Sequence, residues 1–128
     1  MTTPRPVIAI VDDEVHIRAL LEQTLEDLGH EAEILMAANG AEGLALIESR
    51  QPHLVFLDVM MPLMNGYDVC ATVRKNPLLA TTIIVMLTAK GQESDRLRGL
   101  GVGANHFVTK PFDPDEILAL AQKILQAR

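Results

Sequence analysis

Three short runs in this chain are apolar on every consecutive residue: Val7-Ile8-Ala9-Ile10-Val11, Leu54-Val55-Phe56-Leu57 and Ile83-Ile84-Val85-Met86-Leu87. A strand of that kind is apolar towards both faces of its sheet, so helices must cover it above and below, as in parallel sheets. Each run stops at a polar residue. The first ends in Asp12-Asp13, the second in Asp58 and the third in Thr88, while a short run, Phe107-Val108, leads through Thr109 to Lys110. In open parallel sheets the carboxyl edge is where ligands bind, so these acids, the hydroxyl and the amine are expected to share a site.

Segments of helical period separate the runs, the pattern of repeated strand-helix units. After Asp13, the residues Ile17, Leu20, Leu21, Thr24 and Leu28 form one helical stripe that Gly29 should stop. Glu33 to Ala38 reads as a further strand. Asn39 can cap a helix running to about Arg50, before Gln51-Pro52 breaks the chain. Another helix is expected from near Gly66 to near Asn76-Pro77. The segment from Gln92 to Gly103 should be the least stable helix, because Gly99, Gly101 and Gly103 each cost about 1 kcal/mol relative to alanine in a helix interior. Asp113-Pro114-Asp115-Glu116 offers a cap, a first-turn proline and a capping-box glutamate for a final helix on Ile117, Leu120, Ala121 and Ile124. Right-handed crossovers then give a flavodoxin-like α/β/α sandwich, a doubly wound five-stranded parallel sheet of strand order 2-1-3-4-5. With that order Asp12, Asp13 and Asp58 are neighbours.

At 128 residues the chain is expected to form one domain over 1–128. Its balance of 11 basic and 17 acidic residues, net −6, argues against binding a phosphate backbone. Aromatics are 3% and tryptophan is absent, so no stacking platform for bases is expected either. No apolar run approaches the ~20 residues of a membrane span, and no signal-peptide segment follows Met1, so the expected location is cytoplasmic with no membrane contact. One cysteine, Cys70, excludes an internal disulfide and cannot alone make a zinc site.

Carboxylates gathered within a few ångströms resist ionising unless cations compensate. Lys110 supplies one positive charge. Oxygen ligands without a histidine or cysteine cluster select a hard cation, and Mg2+ suits a site of a few carboxylates that leaves waters for a phosphate to replace. Mg2+ between Asp58 and an incoming phosphoryl group would offset their repulsion, leaving Asp58 as nucleophile for an aspartyl phosphate. Lys110, the Thr88 hydroxyl and an N–H near Ala89 could then contact phosphate oxygens. Taken singly, each residue has a plainer role: Asp12 or Asp13 as a helix cap, Asp58 as a turn residue, Thr88 as a strand end, Lys110 as a solvated cation. Their convergence at four strand ends is what favours a shared site. His16, His30, His53 and His106 are dispersed and read as structural or surface residues, and Met60, Met61 and Met64 as loop packing.

Five motifs in order resemble the receiver domain of two-component response regulators, and the resemblance covers essentially the whole length. They are Val11-Asp12-Asp13-Glu14, Asp58-Val59-Met60-Met61-Pro62-Leu63-Met64-Asn65-Gly66, Leu87-Thr88-Ala89, Gly103-Ala104-Asn105 with Phe107, and Lys110-Pro111-Phe112. The resemblance implies Asp58 as phosphoacceptor, Asp12 and Asp13 as Mg2+ acids with the backbone carbonyl of Met60, and phosphate contacts from Thr88, Ala89 and Lys110. It also implies Phe107 as a rotating switch aromatic and a cis bond before Pro111. Implied partners are a sensor histidine kinase or histidine phosphotransfer protein and a downstream output protein, with the chain a monomer or a weak phosphorylation-dependent dimer.

The chain departs from the family pattern in several places. It is about two residues longer between Gly29 and Gly40, Phe107 lacks a tyrosine hydroxyl, Met60 and Lys90 occupy positions that influence phosphoryl lifetime, and Asn105-His106 replaces a more acidic pair. Two rival readings remain. One is a Mg2+-dependent phosphatase of the haloacid dehalogenase type, which needs a second acid where Met60 stands. The other is an interaction module that never carries phosphate.

Overall fold

A computed structural model of the chain describes residues 5–28, 32–89 and 98–127. Its strands are β1 (Val7–Val11), β2 (Glu33–Ala37), β3 (Leu54–Asp58), β4 (Ile83–Ala89) and β5 (His106–Lys110). The helices are α1 (Val15–Leu25), α2 (Gly40–Arg50), α3 (Gly66–Arg74), the described helical residues 98–101 (α4) and α5 (Pro114–Gln126), with a 3-10 turn at Pro77–Leu79. All strand pairings are parallel and the order is β2-β1-β3-β4-β5, the flavodoxin-like order expected.

Alternate residues of the central strands feed two cores. Ala9, Val11, Val55, Leu57, Ile84 and Met86 face α2 and α3, whereas Ile8, Ile10, Leu54, Phe56, Val85 and Leu87 face α1 and α5. That is why the runs are apolar on successive residues: each side chain of β3 is buried, on one face or the other. Helix α2 lies close against the sheet because it presents glycines there. A Cβ at Gly43 would stand 2.4 Å from Val11 Cγ1, and one at Gly40 would stand 1.8 Å from Met64 O.

The helix ends follow local chemistry. Asn39 Oδ1 accepts from Glu42 N–H at 2.9 Å while Glu42 Oε2 accepts from Ala38 N–H at 3.3 Å, a reciprocal cap. Asp113 caps α5 through Asp115 N–H at 2.9 Å, with Pro114 in the first turn.

Several expectations are corrected. Helix α1 ends at Leu25, and its buried residues are Leu21, Thr24 and Leu25, while Leu20 is 36% exposed. The expected Gly29 stop lies outside the described residues, as do His30 and Lys90. Helix α3 stops at Arg74, and the 3-10 turn takes up Pro77. Gly103 lies beyond the end of α4 with φ +99°, so it serves as a turn residue and costs that helix nothing. Gly99 is required for packing: a Cβ there would stand 2.4 Å from Phe107 Cε1. Met60 is 73% exposed and stands outside the core, whereas Met61 and Met64 pack against it.

Candidate functional site

The carboxyl ends of β1, β3, β4 and β5 lie side by side, and three of them bring charge to one point. Asp12 follows β1 and is wholly buried. Its Oδ1 accepts from Glu14 N–H at 2.9 Å, and its backbone carbonyl accepts from Arg18 Nη1 at 2.7 Å, so the turn into α1 fixes the carboxylate. Asp58 is the last residue of β3 and only 6% exposed. The chain turns sharply behind it. Gly66 N–H donates to Val59 O at 2.9 Å, and a Cβ at Gly66 would stand 2.3 Å from Asp58 O. Exposed Asp13 completes a group in which one carboxylate oxygen each from Asp12, Asp13 and Asp58 lie within 4.8 Å of one another.

Lys110, the last residue of β5, reaches into this group. Its Nζ stands 2.8 Å from Asp12 Oδ2, 3.4 Å from Asp58 Oδ1 and 3.8 Å from Glu14 Oε1. Burial works against the Lys110 charge, but hydrogen bonding to Asp12 and the charges of Asp58, Asp12 and Glu14 outweigh it and hold the pKa above its ordinary value. Asp58 goes the other way. Burial and the adjacent Asp12 charge push its carboxyl from 3.8 up to about 7, against the opposing pull of Lys110. One ammonium therefore does not neutralise the cluster.

That deficit tests whether a metal fits. Wholly buried Asp12 Oδ2 faces the Lys110 ammonium and accepts no other donor among the described residues. A buried carboxylate oxygen with acceptor capacity to spare, two neighbouring acids and no nitrogen or sulfur donor in the group suit a hard divalent cation. Asp12, Asp13 and Asp58 are the residues that would hold it.

The remaining expected residues fall into two sets. Buried Thr88 and exposed Ala89 end β4, paired in register with Thr109 and Lys110, one and two residues beyond Leu87, the partner of Asp58. They share the acidic edge. Met60 sits in the loop two residues past Asp58. Phe107, by contrast, lies away from the carboxylates, half-buried beneath α4 against Gly99 and the α2/α3 core. The Lys110–Pro111 bond is cis, as the resemblance implied.

Glu14 and Arg18 also belong to the site and went unassigned in the sequence. Glu14 closes the Val11-Asp12-Asp13-Glu14 motif, and Arg18 is a cation about one and a half helical turns past the acids, which is the signal the sequence carries for each. His16 pairs with Glu14 at 3.0 Å on the exposed rim. His53 is structural: its Nδ1 accepts from Val7 N–H at 3.0 Å at the opposite edge of the sheet.

A parallel sheet of this order with an acidic cluster and a lysine at its carboxyl edge defines a class of signalling domains, and comparison with known proteins agrees. The response regulator receiver domain family matches residues 8–122. The chain belongs to that family: it is the receiver domain of a two-component response regulator. It is 41% identical over 119 residues to the alkaline phosphatase synthesis transcriptional regulatory protein PhoP of Bacillus subtilis, covering 93% of this chain and 48% of PhoP. It is 40% identical over 119 residues to the phosphate regulon transcriptional regulatory protein PhoB of Pseudomonas aeruginosa, covering 93% of this chain and 51% of PhoB. The chain thus spans about half the length of the curated relatives it matches. Among solved structures it resembles the chemotaxis protein CheY4 of Vibrio cholerae, with TM-score 0.85 and 32% identity over 94% of this chain and 99% of that one. No helix among the described residues is long and apolar enough to cross a membrane.

Proposed function

We propose that this receiver takes a phosphoryl group on Asp58 from a sensor histidine kinase or histidine phosphotransfer protein and, once modified, presents an altered face to a downstream output protein. The observation that carries this reading is the convergence of Asp12, Asp13, Asp58 and Lys110 at one sheet edge.

An Asp58 carboxylate oxygen attacks the phosphorus of a phosphohistidine, the P–N bond breaks with its electron pair going to the imidazole, and an acyl phosphate forms. Mg2+ held by Asp12, Asp13, Asp58 and the Met60 carbonyl would lower the repulsion between the carboxylates and the incoming phosphoryl oxygens. The chain's own groups do the rest. Lys110 favours the ionised, nucleophilic form of Asp58 and can pair with a phosphoryl oxygen. The Thr88 hydroxyl and the Ala89 N–H lie on the same edge and can donate to the others. A Thr88 drawn to the phosphate would vacate space towards Phe107 and α4, which is the route to the output face.

The phosphatase rival needs an acid where Met60 stands, and Met60 is an exposed thioether. The domain would act in the cytoplasm without binding nucleic acid directly, as a monomer or a weak phosphorylation-dependent dimer.

Intact-mass spectrometry tests the assignment. With acetyl phosphate and Mg2+ the chain should gain one phosphoryl mass, and chelation or Asp58→Asn should abolish it. An unmodified wild type, or modification that persists in Asp58→Asn, refutes Asp58 as acceptor.

A further inference from the structure

The two tandem acids of the site are held unequally. Asp12 is fixed from several sides: its N–H donates to Ala37 O at 3.2 Å, its Oδ1 accepts from Glu14 N–H at 2.9 Å, and its Oδ2 stands 2.8 Å from Lys110 Nζ. Asp13 is exposed and makes no backbone hydrogen bond among the described residues. Its side chain meets that of Asp58 in a hydrogen bond, which needs a proton on one of the two acids; with both ionised they repel.

What remains to aim Asp13 is the peptide group that joins it to Asp12. The oxygen of that peptide is Asp12 O, and it accepts from Arg18 Nη1 at 2.7 Å. Arg18 lies on α1, half-buried in a cleft that it lines with Met36, Ala37, Glu42 and Leu46. A guanidinium on a carbonyl oxygen is a short, charge-assisted contact, and a planar peptide cannot turn without carrying the residues on both sides of it. The Arg18 bond therefore resists the rotation by which Asp13 would swing out to water, the direction in which the charges of Asp12 and Asp58 push it.

We propose that Arg18 is a positioning residue for Mg2+, holding Asp12 O so that Asp13 is aimed at the metal site before the metal arrives. The proposal rests on the reading of Asp12, Asp13 and Asp58 as a Mg2+ site. A ligand already held in its bound geometry loses less freedom on binding, so the bond favours Mg2+ even though it sets a positive charge near a cation. Charge alone acts the other way: removing the guanidinium relieves repulsion and tightens Mg2+. The two effects differ in sign, which makes them separable.

The test titrates the whole chain with Mg2+ and reads dissociation constants from amide NMR shifts, with urea unfolding in chelator to establish that each variant is folded. Arg18→Met removes the donor and keeps an apolar stem in the cleft beside Met36 and Leu46. It should weaken Mg2+ by about ten-fold, the lower end of the losses typical when a group that orients metal ligands is removed. Arg18→Lys keeps a cationic donor and should restore most of that affinity. In an Asp13→Asn background, Arg18→Met should change the constant by less than about two-fold, because the arginine acts through Asp13. Should Arg18→Met not fold, Arg18→Gln, uncharged and too short for the contact, carries the same expectations. If the variant binds Mg2+ as tightly as wild type or more tightly, if Arg18→Lys restores nothing, or if the loss is as large in the Asp13→Asn background, the positioning role is overturned and the metal reading survives. A wild type that does not bind Mg2+ overturns that reading and the positioning role with it.

Discussion

Neutralising Asp58 should stabilise the metal-free domain. Its carboxyl is raised from 3.8 to about 7, mainly by burial and then by Asp12. A carboxyl whose pKa is higher folded than unfolded binds more protons in the folded state between those two values. Folding stability therefore falls as pH rises through that window, and is lowest above it. At about 1.36 kcal/mol per pH unit, the interval corresponds to roughly 4 kcal/mol at pH 8. Asp58→Asn keeps the shape and removes the charge, at the loss of the 3.4 Å approach to Lys110. We expect it to stabilise the chain by about 2 to 4 kcal/mol at pH 8 in chelator, or on the order of 10 °C in Tm for a domain of this size. The advantage should shrink as pH falls through the window, to less than half by about pH 5, and vanish only below the unfolded-state value of 3.8, where Asp58 is protonated in both states. Millimolar Mg2+ at pH 8 should narrow it as well, because a cation bound to the folded state raises wild-type stability. Urea unfolding at a series of pH values, with and without Mg2+, measures all three. An Asp58→Asn variant that is no more stable than wild type at pH 8, or whose advantage does not depend on pH, would show that the carboxylates are not in conflict.

Two further outcomes follow from packing. Gly99→Ala should destabilise the chain by about 1 to 3 kcal/mol through overpacking against Phe107, whereas Gly101→Ala, whose Cβ meets nothing within 4 Å, should gain up to about 1 kcal/mol; thermal melts of the pair check the contrast. Cys70 is wholly buried, its Sγ donates to Val102 O at 3.3 Å, and burial pushes its thiol up to about 11 despite Arg74. It should react with a disulfide reagent only as fast as the native fold opens, and rapid labelling at pH 8 would contradict its placement.

The layered sheet and its acidic edge were legible because both are written locally. A doubly covered strand needs successive apolar residues, and the residue that ends it is the one delivered to the edge. Asp12, Asp13, Asp58 and Lys110 could be named for that reason. Features that depend on a partner distant in sequence were less legible. Leu25 and Leu20 both fit a helical stripe, and what selects Leu25 is the position of α5 beside α1. Gly99 reads as a weak point by propensity until the Phe107 ring is placed over it. Arg74 gave no signal, because its main partners are backbone carbonyls that any sequence would supply.

The cation that answers Asp12 and Asp58 comes from the final strand of the sheet. A chain emerging from the ribosome therefore holds its acids long before it holds Lys110. Until β5 is added beside β4, the Lys110 ammonium is not in place to offset the repulsion between the ends of β1 and β3. Adding the last strand both completes the sheet and removes a charge conflict from its centre, so the N-terminal portion should gain its stability late and abruptly rather than strand by strand. The electrostatics of the site thus make folding of this domain more all-or-none than the parallel sheet alone would require.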